Sequence, residues 1–254
     1  MRNSYKNIET RRKTILELLS INGAMSITDL SQNLGVSEMT IRRDCNKLTK
    51  MGHVTQRLGI IRYISSEKND NFDSRYHLKQ SLGTKAAEFI DNNEIVFINS
   101  SSTALFAVET LLSKKISIIT NNGNISKFLS DHTPASLILA GGNLNEHNIM
   151  SGDIANQTFL SMRSDWSIIG CARLSIEHGI TTPRIEEATV NRNIIQNSRN
   201  LIVVADYSKF ENVSNFTIGQ ISDIDILITD TFTPEKILNG YRKQGVQVIQ
   251  VSQF

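Results

Sequence analysis

Three groups of residues in this chain have the types and spacing for chemistry. The run Asn99-Ser100-Ser101-Ser102-Thr103 follows the apolar, β-branched stretch 94–98 and precedes a helix-length segment. Such a loop offers free backbone N–H groups, the positive end of a helix dipole and hydroxyl donors, which suit an anion such as a phosphate. Serine and threonine at such places more often serve as caps and turns, so the run gains meaning only from its neighbours. Lys209 and Arg173, each just after another apolar run, can set a positive charge beside that anion. Glu187 and Asp206 can be read as a pair of general bases, but the simpler reading is a carboxylate favouring a helix N-terminus and a polar loop acid orienting sugar hydroxyls. The third group, Ser37-Glu38-Met39-Thr40-Ile41-Arg42-Arg43, carries two adjacent guanidinium forks that can pair with guanine or clamp phosphate, and a threonine methyl that can touch thymine. His53, His77, His132, His147 and His178 show no HxxxH or HExxH spacing, and Cys45 and Cys171 form no CxxC pair, so neither a metal nor a cofactor is expected.

The arginine pair sits in a frame of helix signals. Ile15, Leu18 and Leu19 make one apolar helical face that Asn22-Gly23 ends. Ser26-Ile27-Thr28-Asp29 has the form of a capping box, Leu30 and Leu34 continue the stripe, and Gly35 ends this second helix. Ser37 caps a third helix with Ile41, Cys45 and Leu48 inward and Thr40, Arg42, Arg43 and Lys47 outward. Two helices joined by Leu34-Gly35-Val36-Ser37 have the form of a helix-turn-helix, whose second helix enters a major groove. The alternating segment His53–Tyr63 reads as a two-stranded wing turning near Leu58-Gly59. The residues expected to face DNA are Ser37, Met39, Thr40, Arg42, Arg43, Lys47 and Arg57. Cys45, on the inner face, is expected to be a small core residue.

Residues 65–75 are polar and aperiodic and read as a linker between a DNA-binding domain (1–64) and an effector-binding domain (76–254). A helix over 76–91 carries Leu78, Leu82, Ala86 and Phe89. Apolar runs then follow at 94–98, 116–120, 136–140, 165–170, 201–205, 225–229 and 246–251, with helix-length segments such as 104–112, 125–131, 153–162, 186–198 and 234–242 between most of them. The fold class is therefore α/β, a small winged helix-turn-helix joined to a larger, mostly parallel sheet domain. In such a sheet a ligand sits beyond the carboxyl ends of the strands. The residues there, together with Glu187 from the helix-length segment 186–198, make the expected effector site: Asn99, Ser100, Ser101, Ser102, Thr103, Asn121, Gly141, Gly142, Gly170, Arg173, Asp206 and Lys209. Trp166 is expected in the core.

Charge is divided unevenly: residues 1–64 hold 11 basic and 5 acidic residues, a net of +6, and the remainder is net −4. A basic head on an acidic body points to a polyanion as the head's partner. No run approaches the roughly 18 apolar residues of a membrane span, and the first thirty residues lack a signal peptide, so a cytoplasmic protein with no membrane partner is expected.

Thr40-Ile41-Arg42-Arg43-Asp44, preceded by Leu34-Gly35-Val36-Ser37, resembles the helix-turn-helix signature of the DeoR family of bacterial transcriptional regulators. Asp206-Tyr207-Ser208-Lys209-Phe210 and Glu187-Ala188-Thr189-Val190-Asn191-Arg192 resemble family segments of the second domain, so the likeness covers nearly the whole chain. It implies that this domain is similar in fold to ribose-5-phosphate isomerase and coenzyme A transferases. It also implies a repressor of a sugar-utilisation operon that binds double-stranded operator DNA as a homodimer or homotetramer and is released by a phosphorylated sugar or related metabolite. The chain departs from the family pattern in four places. Arg57-Leu58-Gly59-Ile60-Ile61-Arg62 replaces Arg-x-His-Gly-Gly-Ala, Asn99 replaces an acid, Ser101 replaces a loop glycine, and Arg173 stands at a second glycine position. Activation or dual regulation is as compatible with these residues as repression. An isomerase-like sugar-phosphate enzyme with an incidental basic head is the alternative from a different class.

Overall fold

The computed structural model describes residues 2–50, 53–57, 59–63, 72–129 and 133–252. They fall into two compact units, Met1–Leu78 with Thr231–Pro234 and Lys79–Asp230 with Glu235–Phe254. In chain order the first unit begins with α1 (Arg2–Asn22), β1 (Ala24–Ser26), α2 (Ile27–Leu34), α3 (Glu38–Lys50), β2 (Val54–Arg57) and β3 (Ile60–Tyr63). After α4 (Phe72–Ala87) come β4 (Ile95–Ile98), α5 (Ala107–Leu111), β5 (Ser117–Thr120), β6 (Ser136–Leu139), β7 (Asn143–Leu144), β8 (Met150–Ser151) and α6 (Asp153–Leu160). The chain closes with β9 (Ser164–Gly170), β10 (Arg173–Ser175), β11 (Gly179–Thr182), α7 (Ile185–Gln196), β12 (Ser198–Val204), β13 (Phe216–Gly219), β14 (Ile226–Asp230), α8 (Glu235–Lys243) and β15 (Gln247–Val251).

In the first unit the expected caps are in place. Ser26 Oγ accepts from the Asp29 amide at 3.0 Å while the Asp29 carboxylate accepts from the Ser26 amide at 3.3 Å. Gly35 closes α2 at φ 62°, a left-handed conformation that costs glycine little. Ser37 Oγ accepts from the Thr40 amide at the start of α3. Ile15, Leu16, Leu19, Leu30, Ile41, Cys45 and Leu48 are buried together. Leu16 takes the place on the buried face that the spacing assigned to Leu18, which is half-buried. The wing pairs Arg57 with Ile60 in antiparallel register, and Gly59 in the turn has φ 78°. It has three strands rather than the expected two, because β1 pairs with β3 through Met25 and Ile61. Three residues are too few to show alternation in a sequence. Part of the expected linker, residues 65–71, lies outside the described residues, and α4 already begins at Phe72, so the linker's last four residues are helical.

In the second unit all seven apolar runs become parallel strands of one sheet, in the order β15-β14-β12-β9-β4-β5-β6. β9 is central in its consequences, pairing with β12 on one side and β4 on the other. This order carries the carboxyl ends of β4 and β9 to adjacent positions. Buried strand and helix residues form the core, with Phe97 and Phe159 edge-to-face at 5.1 Å. The expected helix at 104–112 is a 3-10 turn over Ala104–Phe106 followed by α5, and that at 125–131 is a 3-10 turn over Gly123–Phe128. A small antiparallel sheet, β10-β11-β13, was not foreseen, since its strands have three or four residues. Trp166 is only half-buried, its ring 6.4 Å from that of Phe89. No described helix is long and apolar enough to cross a membrane.

Candidate functional site

The outer face of α3 is built by what lies beneath it. Its inner side chains, Ile41, Cys45 and Leu48, are fully buried, and burial pushes the Cys45 thiol up to about 12, with the Asp44 charge adding to the rise. The thiol is therefore a neutral packing group. Asp44 is also buried, and it accepts hydrogen bonds from Arg11 Nε at 2.6 Å and Arg12 Nε at 2.9 Å. This ion pair ties α1 to α3, a contact no local pattern announced. Met39 is 69% exposed, Arg42 and Arg43 are exposed, and Thr40 and Lys47 are half-buried at the edges of the same face. Glu38 steadies the start of the helix, accepting from Thr28 Oγ1 at 2.7 Å and lying 3.7 Å from Arg42. Ser37 Oγ is 3.0 Å from Thr40 Oγ1. The Arg57 backbone belongs to β2, and its side chain lies outside the described residues.

At the carboxyl ends of the strands lies a cavity of about 210 Å³. This is below the roughly 300–1,000 Å³ of pockets for drug-sized ligands, so it suits a compact metabolite. Asn99 through Thr103, Gly170, Glu187, Asp206 and Lys209 line it, as expected. Lys79, Cys171, Ala172, Thr182, Asn191 and Ile218 line it as well and were not foreseen. The hydroxyl and amide groups thus face two lysines and two carboxylates.

Asn99 is the strut of this site. Its Nδ2 donates to the Gly170 carbonyl at 2.9 Å and to Asn191 Oδ1 at 2.8 Å, while its Oδ1 accepts from the Gly170 and Ser101 amides, both at 3.1 Å. Only an amide can give and accept in this way, which accounts physically for the absence of an acid at this position. Ser101 Oγ accepts from the Thr103 and Ala104 amides at 3.1 and 3.3 Å, closing the loop on itself. Room for that hydroxyl comes from Gly170, where a Cβ would collide with Ser101 Oγ.

The two carboxylates are held in place. Glu187 accepts from Thr182 Oγ1 at 3.2 Å and Arg184 Nη1 at 3.1 Å. Asp206 accepts from the Ser208 amide at 2.9 Å, capping the short helical turn that presents Lys209. Burial pushes the Cys171 thiol up to about 12, with Lys209 pulling the other way, so it offers the cavity a neutral group.

Four expected residues stand apart from this cavity lining. Asn121 is buried and donates from Nδ2 to the Met150 carbonyl. Gly141 and Gly142 both have positive φ, and a Cβ on Gly142 would collide with the Ser151 carbonyl oxygen, a backbone packing role. Arg173 turns its Nη1 to the Ala172 carbonyl at the start of β10. The unforeseen Lys79 belongs to α4, which precedes the first strand, and a search confined to strand ends cannot find it. No group of His, Cys, Asp or Glu suited to a metal occurs among the described residues.

Both parts of the chain match known family models. Residues 11–67 match the DeoR-like helix-turn-helix domain, and residues 74–231 match the DeoR C-terminal sensor domain. The chain is 28% identical over 244 residues to the glycerol-3-phosphate regulon repressor of Haemophilus influenzae, covering 94% of this chain and 95% of that one. It is 30% identical over 253 residues to the putative aga operon transcriptional repressor of Escherichia coli O157:H7, covering 96% and 94%. Among solved structures, ribose 5-phosphate isomerase A from Methanocaldococcus jannaschii aligns over 54% of this chain and 55% of its own at 12% identity, with a TM-score of 0.39.

Proposed function

We propose, from the premise that this chain belongs to the DeoR family of transcriptional regulators, that it represses a sugar-utilisation operon and is released by a small phosphorylated sugar or related metabolite. The family assignment sets aside the alternative of an isomerase-like enzyme. The reading of the effector is carried by one observation: a cavity of about 210 Å³ in which Lys79 and Lys209 meet a hydroxyl-rich loop and two oriented carboxylates. Lysines and hydroxyls suit a phosphate, and fixed carboxylates suit sugar hydroxyls. Relatives named for a glycerol-3-phosphate regulon and an aga operon support the same class. The effector acts through its difference in affinity for DNA-competent and incompetent arrangements of the protein. On the DNA side, Thr40, Arg42 and Arg43 are the residues for base edges and phosphates. Paired half-sites call for a dimer or tetramer.

A thermal-shift panel of free and phosphorylated sugars tests the effector reading. A phosphorylated member should raise the melting temperature and release the chain from its own upstream DNA, and Lys209→Ala should lose the shift. A shift that survives Lys209→Ala removes this cavity from the proposal. For DNA, Arg43→Ala should weaken specific binding by about 1–3 kcal/mol, as loss of a bidentate base contact does. Fluorescence anisotropy showing equal affinity for wild type and variant takes Arg43 out of the interface.

A further inference from the structure

A parallel sheet is ordinarily covered on both faces, so the apolar side chains of its strands are out of reach of water. The two ends of the seven-stranded sheet depart from this to different degrees. β15 closes one side with half-buried Val248, Ile249 and Val251, and Gln250 Nε2 donates back to the Asp230 carbonyl at 3.1 Å. β6 closes the other side with Ile138 37% and Leu139 47% exposed. Successive side chains of a strand point to opposite faces, so β6 is bare of cover on both. Its backbone is open as well. The Ser136 amide donates to the Ile116 carbonyl at 2.8 Å and the Ala140 amide to the Thr120 carbonyl at 2.9 Å, so the even-numbered residues bond to β5. The N–H and C=O groups of Leu137 and Leu139 therefore point away from the sheet. Edge strands are ordinarily guarded by lysine, by proline or by a bulge. Residues 133–145 hold no charged side chain, Pro134 lies ahead of the strand, and the register with β5 runs unbroken. The apolar surface continues past the strand end, where a Cβ on Gly141 would lie 3.2 Å from Cγ2 of Ile154, a residue 65% exposed.

We propose that β6 is an interface between two copies of this chain, each β6 pairing antiparallel with the other across a two-fold axis so that the two sheets continue as one. The proposal rests on the reading of the chain as a regulator of paired half-sites, which needs two recognition helices. An antiparallel pair of identical strands is self-complementary, the condition for an interface with two-fold symmetry. The outward groups set its register. Leu137 lies opposite the partner's Leu139 and exchanges backbone hydrogen bonds with it, which places Ile138 opposite the partner's Ile138 on the axis. That central pair is of the kind without mutual hydrogen bonds, with a Cα spacing of about 4.5 Å. A surface without charge meets its own copy with no like-charge repulsion, and this selects a second copy over a partner recognised through charge. Pairing covers Ile138 and Leu139 and leaves no open edge on this side of the sheet.

Sedimentation velocity on the full chain tests this with Ile138→Lys and Ile138→Glu, since a charge at this exposed position meets water in a single copy. In a pair, either substitution sets like charges directly opposite one another and should halve the mass of the wild-type assembly. An equal mixture of the two variants sets lysine opposite glutamate and should restore that mass, an outcome misfolding does not produce. Ile138→Cys should crosslink the two copies when treated with oxidised glutathione, because a Cα spacing of about 4.5 Å is within reach of a disulfide. A charged variant that keeps the wild-type mass overturns the interface. Halved masses that mixing does not restore, or a failure to crosslink, overturn the two-fold register. A wild type that sediments as a monomer overturns the dimer reading itself and the role of β6 with it.

Discussion

The recognition helix is tied to its unit by charge, whereas the loop of the pocket is tied to its sheet by a neutral amide. Asp44, with 2% of its side chain exposed, receives two guanidinium groups. Asn99, equally buried, makes four hydrogen bonds to Gly170, Ser101 and Asn191 with no charge at all. The head meets a polyanion, so a surplus of arginine is tolerated there and part of it can serve the fold. Arg11 and Arg12 are used in this way, and the head's basic excess is not all available to DNA. In the proposed effector site Lys79 and Lys209 serve the ligand.

The largest effect should come from breaking the charged tie. Asp44→Ala leaves two arginines without their partner and should cost about 3–5 kcal/mol in the stability of the first unit, the range for breaking a buried ion pair. Chemical denaturation followed by probes in each unit should show the loss in the transition of the first unit alone. An unchanged midpoint would mean that helix packing, and not Asp44, holds α1 to α3.

The neutral tie should break for a different reason. Asn99→Asp removes the donor to the Gly170 carbonyl and to Asn191 Oδ1, and should cost about 1–3 kcal/mol, the penalty for buried groups left unsatisfied. The folded state favours the neutral acid, raising the pKa of the introduced carboxyl over its unfolded value. The protonated form is thus the better tolerated, and the loss should grow as pH rises from mildly acidic to neutral. A melting-temperature difference independent of pH would contradict the role given to the amide.

A third variant, with an effect no larger than that of Asn99→Asp, sharpens the account of Ser101. Gly170→Ala sets a methyl against Ser101 Oγ and should cost about 1–3 kcal/mol by overpacking. The nearest atoms other than those of Ser101 are 3.5 Å away. The Ser101→Gly/Gly170→Ala double variant should therefore recover most of the loss, giving a coupling of about 0.5–3 kcal/mol in a double-mutant cycle. Additive single effects would show that the hydroxyl is not what requires the glycine.

The caps of α2, the inward set of α3 and all seven strands of the parallel sheet were legible because each is written in a few consecutive residues: a hydroxyl three positions before an acid, a 3.6-residue period, a β-branched run. The 3-10 turns at Ala104–Phe106 and Gly123–Phe128 were read as longer helices because an apolar period does not distinguish the two geometries over so short a span. β1, β7 and the sheet of β10, β11 and β13 were missed because two to four residues carry no period. In the pocket, the strand-end rule reaches Asn99, Ser100, Ser101, Ser102, Thr103, Gly170, Asp206 and Lys209, while Glu187 stands out by its carboxylate on a helix. It also takes in Asn121, Gly141, Gly142 and Arg173, which do not line the cavity.

By itself the sequence determined the type of each long element, the exposed arginine face and the polar character of the strand ends, since these follow from local spacing and side-chain chemistry. Only the tertiary structure decided the partners. Asp44 finds Arg11 and Arg12 across 33 and 32 residues, Asn99 finds Gly170 across 71 and Asn191 across 92, and Lys79 finds Ser102 across 23. Local periodicity states which way a side chain faces, but the group it meets depends on strand order and helix packing, which placed β9 beside β4 and α4 beside the segment after the loop.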